Sequence, residues 1–483
     1  MIRRVRSIPL PLALLMVVAL VHALAWAALS PPLNGPDEIA HAAYIQQLAE
    51  TGHGPNRDSG AGAQSTQISR LMFEGNLSPI LGHPDGRPND ATLPALVSGL
   101  DQLPHAQRSN GTGGNAVGNN PPLYYAYGAV IYRLVPGGSI LDRIFALRVA
   151  TAIMLPITVA LVWLLLAELF TAVWLRTAGA AVVALQPKLG YMAGVINPDM
   201  LLVLLSTAVT LLAVQTVRRP ISLWRLAGLG LATGATALTH GRGFAVVPVA
   251  AVAVLIALIR ARPAWRAFLL AGAAFVAALL VPVAIAFFYT RSHAGGGAFG
   301  GEVTQAAEQH FNLKQFLVNV WQFYLPKLGF MSDRIGPAYG YRQMYIDTFF
   351  SGFNTFETYF SDSLRGWIQL AAGTGLLTLF ACIVTRWQFI LLRWREVLVV
   401  ALSFVSLMGL LHISSYRDLQ VSSDPLITGR YLLPAIGAYA AAIAFVAWSL
   451  PRRLGPVLAG AVVGGHAVLC LGGLGLAIGR LYA

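Results

Sequence analysis

The sequence is short of charge: only 11% of its 483 residues are Asp, Glu, Lys or Arg, while 56% are hydrophobic. A soluble chain of this length carries roughly twice that charged fraction, so the composition excludes an ordinary soluble domain. Apolar runs recur from one end of the chain to the other, and many of them reach the length of about 20 residues that a helix needs to cross a bilayer. The sequence therefore predicts an all-α polytopic membrane protein.

Cysteine and lysine are also scarce. The two cysteines, Cys382 and Cys470, both lie inside apolar runs, where a thiol acts as a small packing residue. No thiol framework can be built from them. Lysine occurs only at positions 188, 314 and 327, and this preference for arginine and alanine is typical of a GC-rich bacterium.

The apolar runs predict eleven membrane spans. These are near residues 8–29, 143–168, 177–196, 199–217, 222–239, 244–260, 267–289, 367–385, 396–413, 431–450 and 455–479. The RRVR start and the small residues of AWAALS also fit a cleavable signal peptide, so the first span has two interpretations. In both of them the N-terminus is predicted to be cytoplasmic.

Positive charge is concentrated in the short connections at one end of these spans. Those connections hold 15 of the 33 basic residues with only Glu168 and Glu396 nearby, whereas the other side holds equal numbers of basic and acidic residues. The net charge of +13 therefore belongs to one face, which the positive-inside rule assigns to the cytoplasm. The arginines there mark topology and touch anionic lipid, and nucleic-acid binding is a poor interpretation.

The predicted organisation follows from these spans. It consists of the first transmembrane helix (1–29), an extracytoplasmic loop (30–142), transmembrane helices 2–7 (143–289), a second extracytoplasmic loop (290–366) and helices 8–11 (367–483). Long loops among short connections usually carry function, so the chemistry is expected outside the cytoplasm. Amphipathic segments in both loops predict interfacial helices. The Gly- and Asn-rich part of the first loop is either a flexible linker or a lid that orders on substrate.

The stretch PDEIAHAAY, just after the first span, carries the first candidate site. Asp37, His41 and Tyr44 fall on one face of a predicted helix, with Glu38 about 100° away. Three interpretations remain open at this point. The acids could simply complement the helix dipole, Asp37, Glu38 and His41 could hold a divalent metal, or a carboxylate could act as a general base at the membrane surface.

Further candidates lie near the predicted outer ends of other spans. They are Tyr124 and Tyr125 in NNPPLYY, Lys188 in LQPKLG, Asn197 and Asp199 in INPDM, His240 and Arg242 in THGRG, and Arg430 and Tyr431 in ITGRYLLP. An ionisable residue at membrane depth is a functional candidate, although snorkelling explains each single cation equally well. Arginine suits bidentate contact with phosphate, and a lipid-linked phosphate would reside at that depth.

The order of these motifs resembles the GT-C superfamily of polytopic membrane glycosyltransferases, and within it a bacterial branch with PDExxH and GRYLLP motifs. The resemblance covers residues 31–434. It implies an enzyme of the bacterial cytoplasmic membrane that moves a sugar from a polyprenyl-phosphate donor to an extracytoplasmic acceptor, usually with inversion. The acceptor would be a glycan, lipid or protein of the cell envelope.

The resemblance also implies residue roles. Asp37 would be the general base that deprotonates the acceptor, and Glu38 would orient the acceptor or help to bind a divalent cation such as Mg²⁺ or Mn²⁺. The residues expected to bind substrate or donor are His41, Tyr44, Tyr124, Tyr125, Lys188, Asn197, Asp199, His240, Arg242, Arg430 and Tyr431. Relatives that modify lipid A have a lysine beside the two prolines, where this chain has Asn120.

Two other functional classes remain as alternatives. A transporter or flippase of lipid-linked saccharides would have ionisable residues spread through mid-membrane and short external loops, whereas here these residues cluster at the outer boundary beside two long loops. A non-catalytic subunit of a surface-polymer assembly would use the same acids only for structure.

Overall fold

The computed structural model describes residues 8–55, 63–75, 77, 86–87, 93–111, 114–135, 137–262, 264–293, 311–336, 341–421 and 427–483. Within these ranges the chain forms α-helices and two short 3-10 helices, and no β-strand occurs there. The predicted all-α polytopic architecture is therefore confirmed for the described part of the chain.

The α-helices are numbered here in chain order. They are α1 (Leu10–Leu29), α2 (Glu38–Thr51), α3 (Thr66–Glu74), α4 (Leu93–Asp101), α5 (His105–Arg108), α6 (Leu123–Arg133), α7 (Ile140–Ala152), α8 (Met154–Leu169), α9 (Val173–Ala184), α10 (Pro187–Ala193), α11 (Asp199–Arg218), α12 (Leu223–Thr239), α13 (Val247–Ala261), α14 (Trp265–His293), α15 (Leu313–Tyr324), α16 (Tyr341–Phe350), α17 (Phe353–Phe356), α18 (Asp362–Thr385), α19 (Trp387–Leu392), α20 (Trp394–Val421), α21 (Ile436–Ser449) and α22 (Leu454–Tyr482). The 3-10 helices are Gly241–Val246, directly before α13, and Gly429–Ala435, directly before α21.

Nine segments of the described residues are long and apolar enough to cross a membrane. They are Leu10–Leu29, Ile140–Leu169, Asp199–Arg218, Gly241–Ala261, Trp265–Tyr289, Asp362–Thr385, Trp394–Gln420, Gly429–Ser449 and Leu454–Tyr482. The predicted spans at 177–196 and 222–239 correspond instead to shorter helices, so the count of eleven is not confirmed. The first of these is interrupted between α9 and α10, because Pro187 lacks an N–H and opens a new helix that Gln186 caps.

The amphipathic helices predicted in the two long loops are present as α2, α6 and α15. Their placement in a membrane interface stays a prediction. The stretch expected to be a linker or a lid is described in part, as α3, α4 and α5. The segments of both loops that lie outside the described residues are 56–62, 76, 78–85, 88–92, 112–113, 136, 294–310 and 337–340.

Arginines in or near the short connections contact the C-terminal ends of neighbouring helices. Arg176 Nε donates to the carbonyl that ends α8 at 3.0 Å, Arg260 Nη1 to the last turn of α11 at 2.6 Å, and Arg386 Nη2 to the end of α21 at 2.6 Å. These carbonyls lack intrahelical partners and carry partial negative charge, so the cations are favourable there. The PDE, NPD, HGRG and GRYLLP motifs all lie at the opposite helix ends, so the fold gathers them at one end of the bundle.

Candidate active site

Asp37 lies in a tight turn at the start of α2. The Glu38 N–H donates to Gly35 O at 3.0 Å, so Pro36 and Asp37 are the two central residues of the turn. Asp37 has φ 58° and ψ 12°, the left-handed region that most side chains avoid and Asp tolerates. Its carboxylate is 52% exposed and accepts a hydrogen bond of 2.9 Å from Arg430 Nη2. This acid therefore combines solvent access with a neighbouring cation.

Glu38 has the opposite environment and is fully buried. Arg148 Nε and Nη2 donate to its two oxygens at 2.8 and 2.7 Å. The backbone N–H groups of Gly35 and Ile196 donate to the same carboxylate at 2.8 and 2.9 Å. An ionised carboxylate has about four acceptor positions, and these four donors occupy them. Glu38 can therefore take no further ligand without losing one of these bonds.

His41 joins α2 to two other motifs. Its Nδ1 lies 2.9 Å from Tyr125 Oη, and its Nε2 lies 3.3 Å from Asn197 Nδ2, which also donates to Pro36 O at 3.1 Å. Burial disfavours the imidazolium more than the nearby carboxylates favour it, so the pKa of His41 is lowered to about 4. His41 is consequently a neutral connecting group at physiological pH.

Two arginine–aspartate pairs flank Tyr431. Arg242 Nη2 donates to Asp199 Oδ1 at 2.6 Å, and Arg430 pairs with Asp37 as described above. The guanidinium carbons of Arg242 and Arg430 lie 4.1 and 5.2 Å from the centroid of the Tyr431 ring. Both distances are within the range of cation–π attraction. The ring therefore holds the two guanidinium groups near each other despite their like charge.

Lys188 and His240 lie beside the two arginine–aspartate pairs, and burial together with the nearby arginines holds the pKa of both side chains well below the usual range. Lys188 is fully buried, its Nζ donates to Gly352 O, and the same atom lies 5.0 and 5.9 Å from the rings of Tyr191 and Phe353. The side chain of His240 caps the following 3-10 helix by accepting a backbone N–H. This cap fixes the turn that presents the neighbouring arginine.

Two stacked tyrosines lie next to His41. The rings of Tyr44 and Tyr125 lie 3.7 Å apart and nearly parallel. Tyr44 Oη donates to Tyr289 Oη at 2.9 Å, and Asn120 Nδ2 donates to Tyr125 Oη at 2.9 Å. Burial raises the pKa of both stacked phenols well above the usual range, so they act as neutral hydrogen-bonding groups.

The predicted residues divide into three groups by location. A connected set of contacts and charges links Asp37, His41, Tyr44, Tyr125, Lys188, Asn197, Asp199, His240, Arg242, Arg430 and Tyr431. Tyr124 is buried against α7, with its Oη 3.0 Å from Thr151 Oγ1. Glu38 belongs to the buried pair with Arg148. The catalytic and binding roles of all these residues stay predictions.

A metal site made by Asp37, Glu38 and His41 does not fit this geometry. The oxygens of Glu38 are engaged by four donors, and both ring nitrogens of His41 have polar neighbours. Across the described residues there is no group of three or more His, Cys, Asp or Glu side chains that could hold a metal ion.

Sequence reasoning missed Arg148, Tyr289 and Phe353. An arginine inside a predicted span is a recognisable signal, because a charge at membrane depth is expensive and needs a partner. Arg148 lay within the predicted span 143–168 and could have been selected on that ground. Tyr289 and Phe353 carry no comparable signal, since aromatic residues are common in this chain.

The fold and the site together define a multi-helix membrane protein with a cluster of ion pairs at one end of its helix bundle. Residues 20–438 match the family model described as predicted membrane protein (DUF2142), and the chain belongs to this family. No curated protein matches the chain.

Two solved structures show what the chain is similar to. ArnT from Cupriavidus metallidurans, in the apo state, is 13% identical to this chain, with a TM-score of 0.46. The match covers 92% of this chain and 60% of the ArnT chain. The oligosaccharyltransferase of Archaeoglobus fulgidus, in the apo form, is 12% identical to this chain, with a TM-score of 0.48. That match covers 96% of this chain and 56% of the oligosaccharyltransferase chain. Both are GT-C glycosyltransferases, and the chain spans less than two thirds of the length of either.

Proposed function

We propose that this protein is a membrane glycosyltransferase of the bacterial cytoplasmic membrane that moves a sugar from a polyprenyl-phosphate donor to an extracytoplasmic cell-envelope acceptor. The observation that carries the proposal is the placement of Asp37. Its half-exposed carboxylate pairs with Arg430, and Arg242 lies against the same tyrosine ring as Arg430. A base that an acceptor can reach and cations that suit a leaving phosphate are therefore adjacent.

In the proposed reaction the acceptor hydroxyl gives its proton to Asp37 as its oxygen attacks the anomeric carbon of the donor sugar. The bond from that carbon to the phosphate oxygen breaks, and its electron pair leaves with the polyprenyl phosphate. A phosphate is stable as an anion, so the step demands no strong general acid. The exposure of Asp37 lets the proton pass to water afterwards. General-base assistance of this kind contributes about 10²–10⁴-fold to the rate.

The arginines and the lysine are proposed to bind the donor phosphate and to stabilise the charge that develops on it. Arg430 and Arg242 already face carboxylates in this structure, so a phosphate oxygen would find donors of matching geometry. Lys188, on α10, lies close enough to Arg430 and Asp199 to interact with their charges; burial and Arg430 lower the pKa of its ammonium well below the usual range, and a bound phosphate anion would favour the protonated form. Fixed donors in a water-poor site are usually the largest single contribution to such a reaction.

The direct test uses purified protein in liposomes, polyprenyl-phosphate sugars as donors and an envelope extract as the pool of acceptors. Release of free polyprenyl phosphate is the measured quantity. The Asp37→Asn variant is expected to lose about 10²–10⁴-fold in turnover while it keeps the Tm of the wild type. Asp362→Asn is a matched control, because Asp362 is also an acid at a helix start beside an arginine, and it is 93% exposed.

Full turnover in a folded Asp37→Asn protein would contradict the assignment of the base. Binding of the donor without any release would contradict the transferase and favour a transporter or a non-catalytic subunit.

A further inference from the structure

We infer that Arg148 and Glu38 form a positioning pair that sets the orientation of Asp37 and its distance from Arg430 and Arg242. This inference rests on the proposed function, because it assigns a role to the groups around the proposed base. Neither residue of the pair touches the exposed side of the site, and both are buried. Their effect on the reaction therefore has to pass through Asp37.

Arg148 uses all of its hydrogen-bonding capacity in this pair. An arginine has five N–H donors. Nε and one donor of Nη2 bind Glu38, and the other donor of Nη2 binds Pro31 O at 2.7 Å. The two donors of Nη1 bind Ser30 O at 2.6 Å and Ala27 O at 3.2 Å. Arg148 thus ties α7 to the end of α1 and to the chain that leads into the Asp37 turn.

Glu38 holds that turn from its other side. Its Oε2 accepts the Gly35 N–H at 2.8 Å, while its own N–H donates to Gly35 O at 3.0 Å. These two bonds close a ring around Pro36 and Asp37. The left-handed backbone of Asp37 costs energy on its own and persists only where the surroundings enforce it. The ring supplies that constraint.

The same carboxylate also fixes the NPD turn. Glu38 Oε1 accepts the Ile196 N–H at 2.9 Å, and the next residue, Asn197, donates to Pro36 O at 3.1 Å. Two bonds therefore set the Asp37 turn against the segment that begins α11 with Asp199. The buried Arg148–Glu38 ion pair therefore fixes the position of the proposed base relative to the Asp199–Arg242 pair.

A positioning role predicts a particular pattern in Arg148→Lys. Lysine keeps the charge but cannot supply five donors in a planar fork, so the turn loses its fixed geometry. A displacement of about 1 Å of a reacting group can cost 10²-fold in rate. We expect kcat to fall about 10–100-fold while the KM for the donor and the affinity for undecaprenyl phosphate stay at wild-type values. Arg386→Lys is the matched control, because Arg386 also binds a helix-end carbonyl, at the far end of the bundle.

Gly35→Ala perturbs the pair without changing its charge. A Cβ at position 35 would lie 2.7 Å from Val195 Cβ and 3.0 Å from Glu38 Oε2, and the first distance is shorter than real Cβ contacts, so the turn must shift away from Val195, two residues before the NPD motif. We expect a smaller fall in kcat than in Arg148→Lys, again without a change in the KM for the donor. This variant keeps the test decisive if Arg148→Lys does not fold.

A third measurement reports the geometry without activity. The Asp37→Cys thiol, at an exposed position, should react with a water-soluble maleimide at a different rate in the Gly35→Ala background than in the wild-type background, because the turn that presents it has moved. Both native cysteines are buried and do not compete. A lower Tm with unchanged kcat and an unchanged labelling rate would show a structural role only and would overturn the inference. Binding of the donor by the wild type without release of polyprenyl phosphate would instead overturn the proposed function, so the two failures are distinguishable.

Discussion

Asp37 and Glu38 are adjacent acids with opposite surroundings. Glu38 is fully buried and accepts four hydrogen bonds, two of them from Arg148. Asp37 is 52% exposed, has a left-handed backbone and faces Arg430. Within one short motif, the acid that is saturated with donors is buried in the fold, and the acid with the strained backbone and the accessible carboxylate is the one that we propose as the base.

The largest expected effect concerns stability at these two positions. Glu38→Ala leaves Arg148 buried without its counter-charge, and breaking a buried pair in this way costs about 3–5 kcal/mol. Asp37→Ala removes a pair that is partly exposed, for which the loss is about 1 kcal/mol or less. Thermal unfolding in detergent should therefore show a much lower Tm for Glu38→Ala than for Asp37→Ala. Equal losses of Tm at both positions would contradict the distinction between them.

The next effect concerns the cation that faces the exposed acid. Arg430→Gln removes a charged donor that is proposed to bind the donor phosphate, and hydrogen bonds to charged groups are worth about 1.5–3 kcal/mol. The Kd for undecaprenyl phosphate, measured by thermal shift, should rise about 10–100-fold. Arg365→Gln is the control, because Arg365 pairs with Asp347 and Asp362 away from the site. An unchanged Kd in Arg430→Gln would remove this residue from the phosphate site.

The helices were largely predictable, because a span leaves a long apolar run that can be read without knowing its neighbours. The exceptions are instructive. The interruption at Gln186 and Pro187 falls inside an apolar run, where hydropathy does not change although the helix ends. At 222–239 the structure has the helix α12, and its 17 residues place it at the short limit of the length that crosses a membrane.

The site was predictable only as a set of motifs. The sequence motifs identified Asp37, Arg430 and Asp199 as candidates, but only the three-dimensional packing determines which cation pairs with each acid. Glu38 and Arg148 are 110 positions apart, and Asp37 and Arg430 are 393 apart. Helical spacing places Asp37 and Glu38 on neighbouring faces and says nothing about which of them the tertiary fold will bury.

A smaller effect separates the backbones of the two acids. At position 37 the positive φ favours glycine over alanine, since alanine pays about 1–2 kcal/mol in the left-handed region. Position 38 is the first residue of α2, where glycine is less favourable than alanine by about 1 kcal/mol or less. Asp37→Gly should therefore have a higher Tm than Asp37→Ala, and Glu38→Gly a lower Tm than Glu38→Ala. The same order at both positions would contradict the turn described for Asp37.

The smallest expected effect concerns His41, which lies one helical turn after the two acids. Burial, with a smaller contribution from Arg430, lowers its pKa from 6.5 to about 4 against the opposing influence of Asp37, Asp199 and Glu38. The imidazole is therefore already neutral above about pH 4 and has no proton to lose between pH 5 and 8. His41→Gln can reduce turnover by disturbing Asn197, but the acid limb of the pH profile of kcat/KM should stay where it is in the wild type. His53→Gln, at an exposed histidine of the same loop, is the control. A wild-type limb near pH 6.5 that disappears in His41→Gln would show that this histidine titrates in the reaction, and would move the role of base from Asp37 to His41.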